Sequence, residues 1–259
     1  MTEHRTPPHL TPSLDDKGIA TVTIHGAKSM NIIGTPEILA LTATLARLRD
    51  QPGLRVLVLR GRDDRAFIGG ADIVEMAALT PPTAEAFITR LKDLCEAVRL
   101  FPVPVIARLA GWCLGGGLEV AMACDLRIAS TDAQVGMPEV KVGIPSVIHA
   151  ALLPRLLGRS VATWLLLTGE PVDATTALGF GLLHRVCEPA ALDAAVAQAA
   201  QQLAGLGPQV LRQQKALMRS WEDQPLDASI AASVAAFRQA FSTGEPQRFM
   251  QDFLDRKRG

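Results

Sequence analysis

Residues 111–139 read GWCLGGGLEVAMACDLRIASTDAQVGMPE: three consecutive glycines, Glu119 close behind them, and Glu139 behind a proline. A run without side chains leaves backbone N–H groups bare. If Gly115, Gly116 and Gly117 open a short helix, Glu119 lies in its first turns, and the positive end of the helix dipole points at whatever sits above the glycines. Such a place suits an oxygen that becomes negative. The triplet is not a phosphate loop, because no Lys-Ser/Thr pair follows at the required spacing. Glu119 has Leu118, Val120, Ala121 and Ala123 for neighbours, and a carboxylate on so apolar a helix needs a reason to be there.

Working outward, the run before the triplet, residues 105–109, is a buried strand, and 126–129 and 134–136 form two short strands around a turn at 130–132. That leaves Glu139 in a loop just after a strand. Upstream, residues 19–25 alternate as a strand, Thr35 and Pro36 read as N-cap and first residue of an amphipathic helix ending before Pro52, and 54–59 is a strand covered on both faces. Gly69 and Gly70 make a second bare turn before a helix capped by Asp72. Phe87, Leu91, Leu94 and Val98 mark a long helix, and residues 1–13 read as a mobile lead-in. Downstream, 145–157 and 160–167 are helical stretches separated by Gly158. A helix-and-strand pair follows at 172–178 and 182–186, then an alanine-rich helix over 190–206. From Pro208 onward only helices are expected, at 210–220, 226–241 and 247–258. The reading is an α/β core over 14–200 carrying the site, with a helical C-terminal region over 201–259.

The 259 residues suffice to bury roughly 70 to 75% of the unfolded surface, and the 26 basic residues balance the 26 acidic ones. Nothing in that balance calls for nucleic acid. The apolar runs fall short of the ~20 residues of a membrane span, and the start has no apolar signal core, so a soluble cytoplasmic protein is expected. Cys95, Cys113, Cys124 and Cys187 are well separated, without CxxC or a histidine at metal spacing. Buried free thiols and no metal site are expected. His149, among Ala150, Ala151, Leu152 and Leu153, is expected as an interior or pocket-rim histidine.

Three blocks carry a resemblance: AFIGGADIVEM at 66–76, AGWCLGGGLEVAMACDLRIAS at 110–130, and MPEVKVGIP at 137–145. In content and spacing the chain resembles the enoyl-CoA hydratase/isomerase, or crotonase, superfamily from about Ile19 onward. The resemblance implies a spiral of ββα turns with a helical C-terminal region used in trimer and hexamer assembly. It implies that the Ala71 and Gly116 amides hold a thioester oxygen, that Glu119 and Glu139 move protons, and that Gly70, Asp72, Ile73 and Leu114 border the acyl-CoA. KSMN at 28–31 resembles the family's adenine-side loop, which makes Lys28 the candidate for the CoA phosphates or ribose. Lys257 and Arg258 match a basic end that can reach a neighbour's CoA. No cofactor is implied beyond the coenzyme A of the substrate.

The residue types suit that chemistry. Adding water to an α,β-unsaturated thioester needs a nucleophilic oxygen at Cβ, a proton at Cα, and a resting place for charge on the thioester oxygen. Two carboxyls and two amides supply all three, and because neighbouring carboxyls share charge poorly, one of them is expected to stay protonated. The expected activity is hydration of a 2-enoyl-CoA to the 3-hydroxyacyl-CoA. The alternatives are an isomerase that shifts the double bond with one glutamate, another acyl-CoA enzyme of the superfamily, and a non-catalytic scaffold or RNA-binding homologue. One segment departs from the common pattern: after Glu139 the chain runs VKVGIPSVIHAALL, one residue short, with Ser146 where a glycine usually stands. In the family that turn borders the water and acyl pocket.

Overall fold

The computed structural model describes residues 12–257. In chain order the elements are β1 (Pro12–Leu14), β2 (Ile19–Ile24), α1 (Thr35–Arg49), β3 (Val56–Gly61), β4 (Ala66–Ile68), α2 (Ile73–Ala77), α3 (Pro81–Arg99), β5 (Val105–Leu109), β6 (Trp112–Leu114), α4 (Gly116–Ala123), β7 (Leu126–Ser130) and β8 (Gln134–Gly136). Two 3-10 turns, Pro138–Val142 and Ile148–Leu152, lead to α5 (Leu153–Thr168), β9 (Val172–Asp173), α6 (Ala174–Gly179) and β10 (Arg185–Cys187). Four helices finish the chain: α7 (Leu192–Ala204), α8 (Pro208–Asp223), α9 (Leu226–Phe241) and α10 (Glu245–Arg256).

From β3 to β8, successive strands are dealt alternately to two sheets. One has the order β1-β2-β3-β5-β7-β10 and the other β4-β6-β8-β9. β3, β5 and β7 run parallel in the first while β4, β6 and β8 run parallel in the second, so each strand pair with its following helix is one turn of a spiral. This is the expected ββα architecture. Period-two alternation divides the large sheet's faces: Leu57 and Leu59 point into the main core, while Val56 and Val58 pack under Leu192, Ala195 and Val196 of α7.

The turn that builds the site is β5-β6-α4. Arg127, one of the least exposed charges, closes the far end of α4: its Nη1 donates to the carbonyls of Ala121, Met122 and Cys124, and its Nε to Leu182. A helix end leaves its last carbonyls without partners, and here one guanidinium collects them. α8 is docked through Lys215 and Arg219, which bond the two carboxylate oxygens of Asp125 at 2.7 and 2.8 Å.

Several expectations need correction. The N-cap of α1 is Gly34, with Thr35 already helical; Glu37 accepts from the Gly34 amide and Glu75 from Thr35. Residues 145–147 are not helical. β4, β6 and β1 were not expected, being three residues each and embedded in glycine- or proline-rich sequence. Residues 172–178 divide into strand β9 and helix α6. The last strand begins at Arg185, three residues later than expected. Cys95, Cys113 and Cys124 are buried free thiols, whereas Cys187 is half-exposed. The stretch Ile148–Thr168 is long and apolar enough by composition to cross a membrane. Its path is broken by the 3-10 turn and by Gly158, which sits at φ 75° and ψ 164°. Of the expected lead-in, residues 1–11 lie outside the described residues, as does Arg258.

Candidate active site

Glu119 and Glu139 meet because of strand pairing. β6 and β8 are neighbours with Leu114 opposite Gly136, and the Gly115 amide donates to the Gly136 carbonyl at 2.9 Å. The chain leaving β6 starts α4 immediately, and the chain leaving β8 turns through Pro138 and Glu139. Gly115 is the N-cap, at φ 53° and ψ −125°, a region that favours glycine. A Cβ there would lie 2.5 Å from Glu139 Oε1. The absent side chain is what lets the second carboxylate lie against the start of the helix that carries the first.

Both glutamates line a cavity of about 380 Å³ together with Lys28, Gly70, Ala71, Ile73, Leu114 and Gly116. Every expected site residue is thus gathered around one space except Asp72. That side chain instead accepts from the Val74 amide at 2.9 Å as the cap of α2, and lies 3.6 Å from Lys28 Nζ. The rest of the lining is mostly apolar. Phe87, Ile88 and Leu91 of α3, Met76 of α2, and Val142, Ile144 and Val147 of the segment after Glu139 supply it. The turn after Glu139 was expected to border the pocket, whereas Met76, Phe87, Ile88 and Leu91 were not expected there. Phe87 and Leu91 were expected only as marks of a long helix, and the helical period that places them on one face says nothing of whether that face meets protein or a cavity. Lys257 is turned onto its own helix, its Nζ 4.7 Å from the Phe253 ring centroid.

The two bare amides are left free by backbone geometry. Ala71 is bridged to Ile33 through its neighbours: the Ile33 amide donates to the Gly70 carbonyl and the Asp72 amide to the Ile33 carbonyl. In a parallel bridge of this kind the central residue's own N–H points the opposite way. Gly116 is the first residue of α4, whose N–H has no intrahelical acceptor. A Cβ on Gly116 would meet Leu91 Cδ2 at 2.8 Å, and one on Gly117 would meet the Ile68 carbonyl at 2.2 Å. The glycines therefore also admit the close packing of α4 on α3 and β4.

The carboxyls sit in different surroundings. Glu119 is 3% exposed, its Oε1 accepting from the Ala150 amide at 2.9 Å. Burial pushes its pKa up to about 8, against the pull of the Ala150 and His149 amides and with a smaller push from the charge on Glu139. Glu139 is half-buried, and its carboxyl is also raised, first by burial, with its own amide and the Ser146 hydroxyl opposing. The shallower acid ionises first, so Glu119 titrates against a charge that Glu139 does not feel in turn. Of the two, Glu119 is the one that burial pushes further toward its protonated form. The amides of His149 and Ala150 are aimed by Ile148, which sits at φ 40°, a strained conformation for a β-branched residue. The His149 ring turns away from the cavity. Burial lowers its pKa, and its Nε2 lies 2.8 Å from Glu96 Oε1. The expectation of an interior histidine agrees with that position.

Residues 15–259 match the sequence profile of enoyl-CoA hydratase/isomerase. The crotonyl-CoA hydratase of Syntrophomonas wolfei is 31% identical over 244 residues, which is 94% of this chain and 94% of that protein. The (E)-benzylidenesuccinyl-CoA hydratase of Thauera aromatica is 36% identical over 219 residues, 83% of this chain and 84% of that one. Among solved structures, an enoyl-CoA hydratase from Mycobacterium smegmatis superposes with a TM-score of 0.92 at 27% identity, covering 96% of this chain and 97% of that one. Profile, relatives and fold agree along almost the whole length, and the chain belongs to the enoyl-CoA hydratase/isomerase family.

Proposed function

We propose that this protein is an enoyl-CoA hydratase whose reacting groups are Glu119, Glu139 and the amides of Ala71 and Gly116. The observation that carries the reading is the pair of carboxyls, one sealed by burial and one nearer solvent, facing a single apolar cavity at the start of a glycine-opened helix. The thioester oxygen of a 2-enoyl-CoA rests between the two amides, where the α4 dipole stabilises charge developing on it. Ionised Glu139 takes a proton from water as the water oxygen bonds to Cβ. The C=C pair moves toward the carbonyl, and the enolate takes the Glu119 proton at Cα. A proton passing from Glu139 to Glu119 restores the pair. Each transfer contributes typically 10² to 10⁴ in rate, and each oxyanion donor about 3 kcal/mol.

The chemistry needs no cofactor besides the substrate's own coenzyme A. Lys28, at the cavity mouth with its side chain 58% exposed, is placed to meet the CoA phosphates. The apolar lining suits a hydrocarbon or aromatic acyl group. Leu226, Ile230, Val234 and Phe237 form an exposed apolar stripe at helical spacing along α9, which favours assembly into a trimer or a dimer of trimers. The test is loss of enoyl-thioester absorbance with a panel of short, branched and aromatic 2-enoyl-CoAs. Hydration by the native protein and its loss in Glu139→Gln support the reading. A flat trace across the panel, or a Glu139→Gln protein that still moves double bonds in 3-enoyl-CoAs, would turn it toward isomerisation or another acyl-CoA reaction.

A further inference from the structure

The segment after Glu139 folds back on that residue at two levels. Its backbone does so through the Ile144 amide, which donates to the Glu139 carbonyl at 3.2 Å, after a left-handed turn at Gly143. Its side chains do so through the Ser146 hydroxyl, which donates to Glu139 Oε2 at 2.9 Å. The other oxygen, Oε1, lies against the bare Cα of Gly115. The carboxylate is therefore held from two sides before any substrate arrives. Pro145 and Val147, on either side of Ser146, line the cavity, so the same bond places both the carboxylate and part of the acyl wall.

We infer that Ser146 is a positioning residue of the reaction: its hydroxyl fixes one carboxylate oxygen of Glu139, leaving the other face free to take the proton from water. The inference rests on the hydratase reading above and deepens it. Other charged groups around Glu139 do not supply this hold. Glu119, on α4, is of the same sign. Lys141, two residues on, is paired with Glu170 at 2.7 Å, and Lys28, across the cavity, lies near Asp72. A hydroxyl donor stabilises the charged form of a carboxyl and so lowers its pKa; its loss moves ionisation to higher pH. A general base must be ionised to act, so the acid limb of the rate profile follows.

The test compares native protein with Ser146→Ala, Ser146→Gly and Ser146→Thr. In the alanine and glycine variants the acid limb of kcat/KM against pH should rise by about half a unit to one unit. Turnover measured below the limb should fall about tenfold per unit of rise, with KM little changed. The threonine variant, which keeps a hydroxyl, should restore the native limb. A second readout does not depend on turnover: the ¹³C-carboxyl resonance of Glu139, assigned by its loss in Glu139→Gln, should titrate at higher pH in Ser146→Ala. An unmoved limb and an unmoved resonance overturn the inference. So does a uniform loss of rate at every pH with a lowered melting temperature, which would make the hydroxyl a loop staple only. If the native protein hydrates none of the panel, the hydratase reading fails by itself, and the carboxyl titration still decides what Ser146 does to Glu139.

Discussion

Replacing Glu119 by glutamine should make the protein more stable and less active, with a pH dependence that identifies the cause. The buried carboxyl is raised from the ordinary 4.5 to about 8, chiefly by burial. A group raised on folding contributes stability that is fully present below the unfolded value and is lost as pH rises through the folded one. Each pH unit between 4.5 and 8 therefore removes about 1.4 kcal/mol from the native protein. Between pH 5 and pH 7 the loss comes to about 2 to 3 kcal/mol, on the order of a fifth to a half of a typical folding free energy. Glutamine has nearly the shape of the protonated acid and keeps an oxygen for the Ala150 amide, yet has no charge to bury. Urea unfolding at pH 5, 6, 7 and 8, at fixed protein concentration, should show the two proteins alike at pH 5 and Glu119→Gln ahead by about 2 to 3 kcal/mol at pH 7, with no further gain well above pH 8. Hydration should fall by at least about 10² in the same variant. A stability difference that does not change with pH would refute the claim that Glu119 holds a proton at neutrality, and with it the division of roles between the glutamates.

Three further outcomes follow from named contacts. Gly115→Ala puts a methyl 2.5 Å from Glu139 Oε1 at a φ of 53°, so turnover should drop at least about tenfold and stability by about 1 to 2 kcal/mol; native kinetics would show that the carboxylate does not rest there. Arg127→Met takes the guanidinium donor from the carbonyls of Ala121, Met122, Cys124 and Leu182, and chemical denaturation should register a loss of about 2 to 4 kcal/mol. Lys28→Ala should raise KM for an enoyl-CoA about three- to tenfold while leaving the N-acetylcysteamine thioester of the same acid unaffected, because only the former carries phosphates. Equal effects on the two thioesters would place the lysine's influence elsewhere.

Most of the site was legible because its pieces are local. A glycine triplet at a helix start, a carboxylate on an apolar helix and a second glycine turn each have a signature within ten residues, and the three blocks kept a recognisable order. β4 and β6 left no such trace. Three residues are too few to display a period, and their pairing partners lie far along the chain. The apolar wall contributed by Phe87 and Leu91 was hidden for a different reason, since a buried face and a cavity face select the same side chains. Residues 145–147 looked helical by composition but run as an extended link, because Glu139 and Ser146 draw the segment back across the cavity.

The sequence alone determined which groups could do the chemistry, two acids and two unencumbered amides, and the alternation of strands and helices that would carry them, since both depend on neighbours along the chain. Only the tertiary structure decided that the acids differ. Glu119 is sealed beneath Ala150 while Glu139 stays nearer solvent in the grip of Ser146. Proton affinity is set by the dielectric and the donors around a carboxyl, and those come from segments that meet only when the spiral closes.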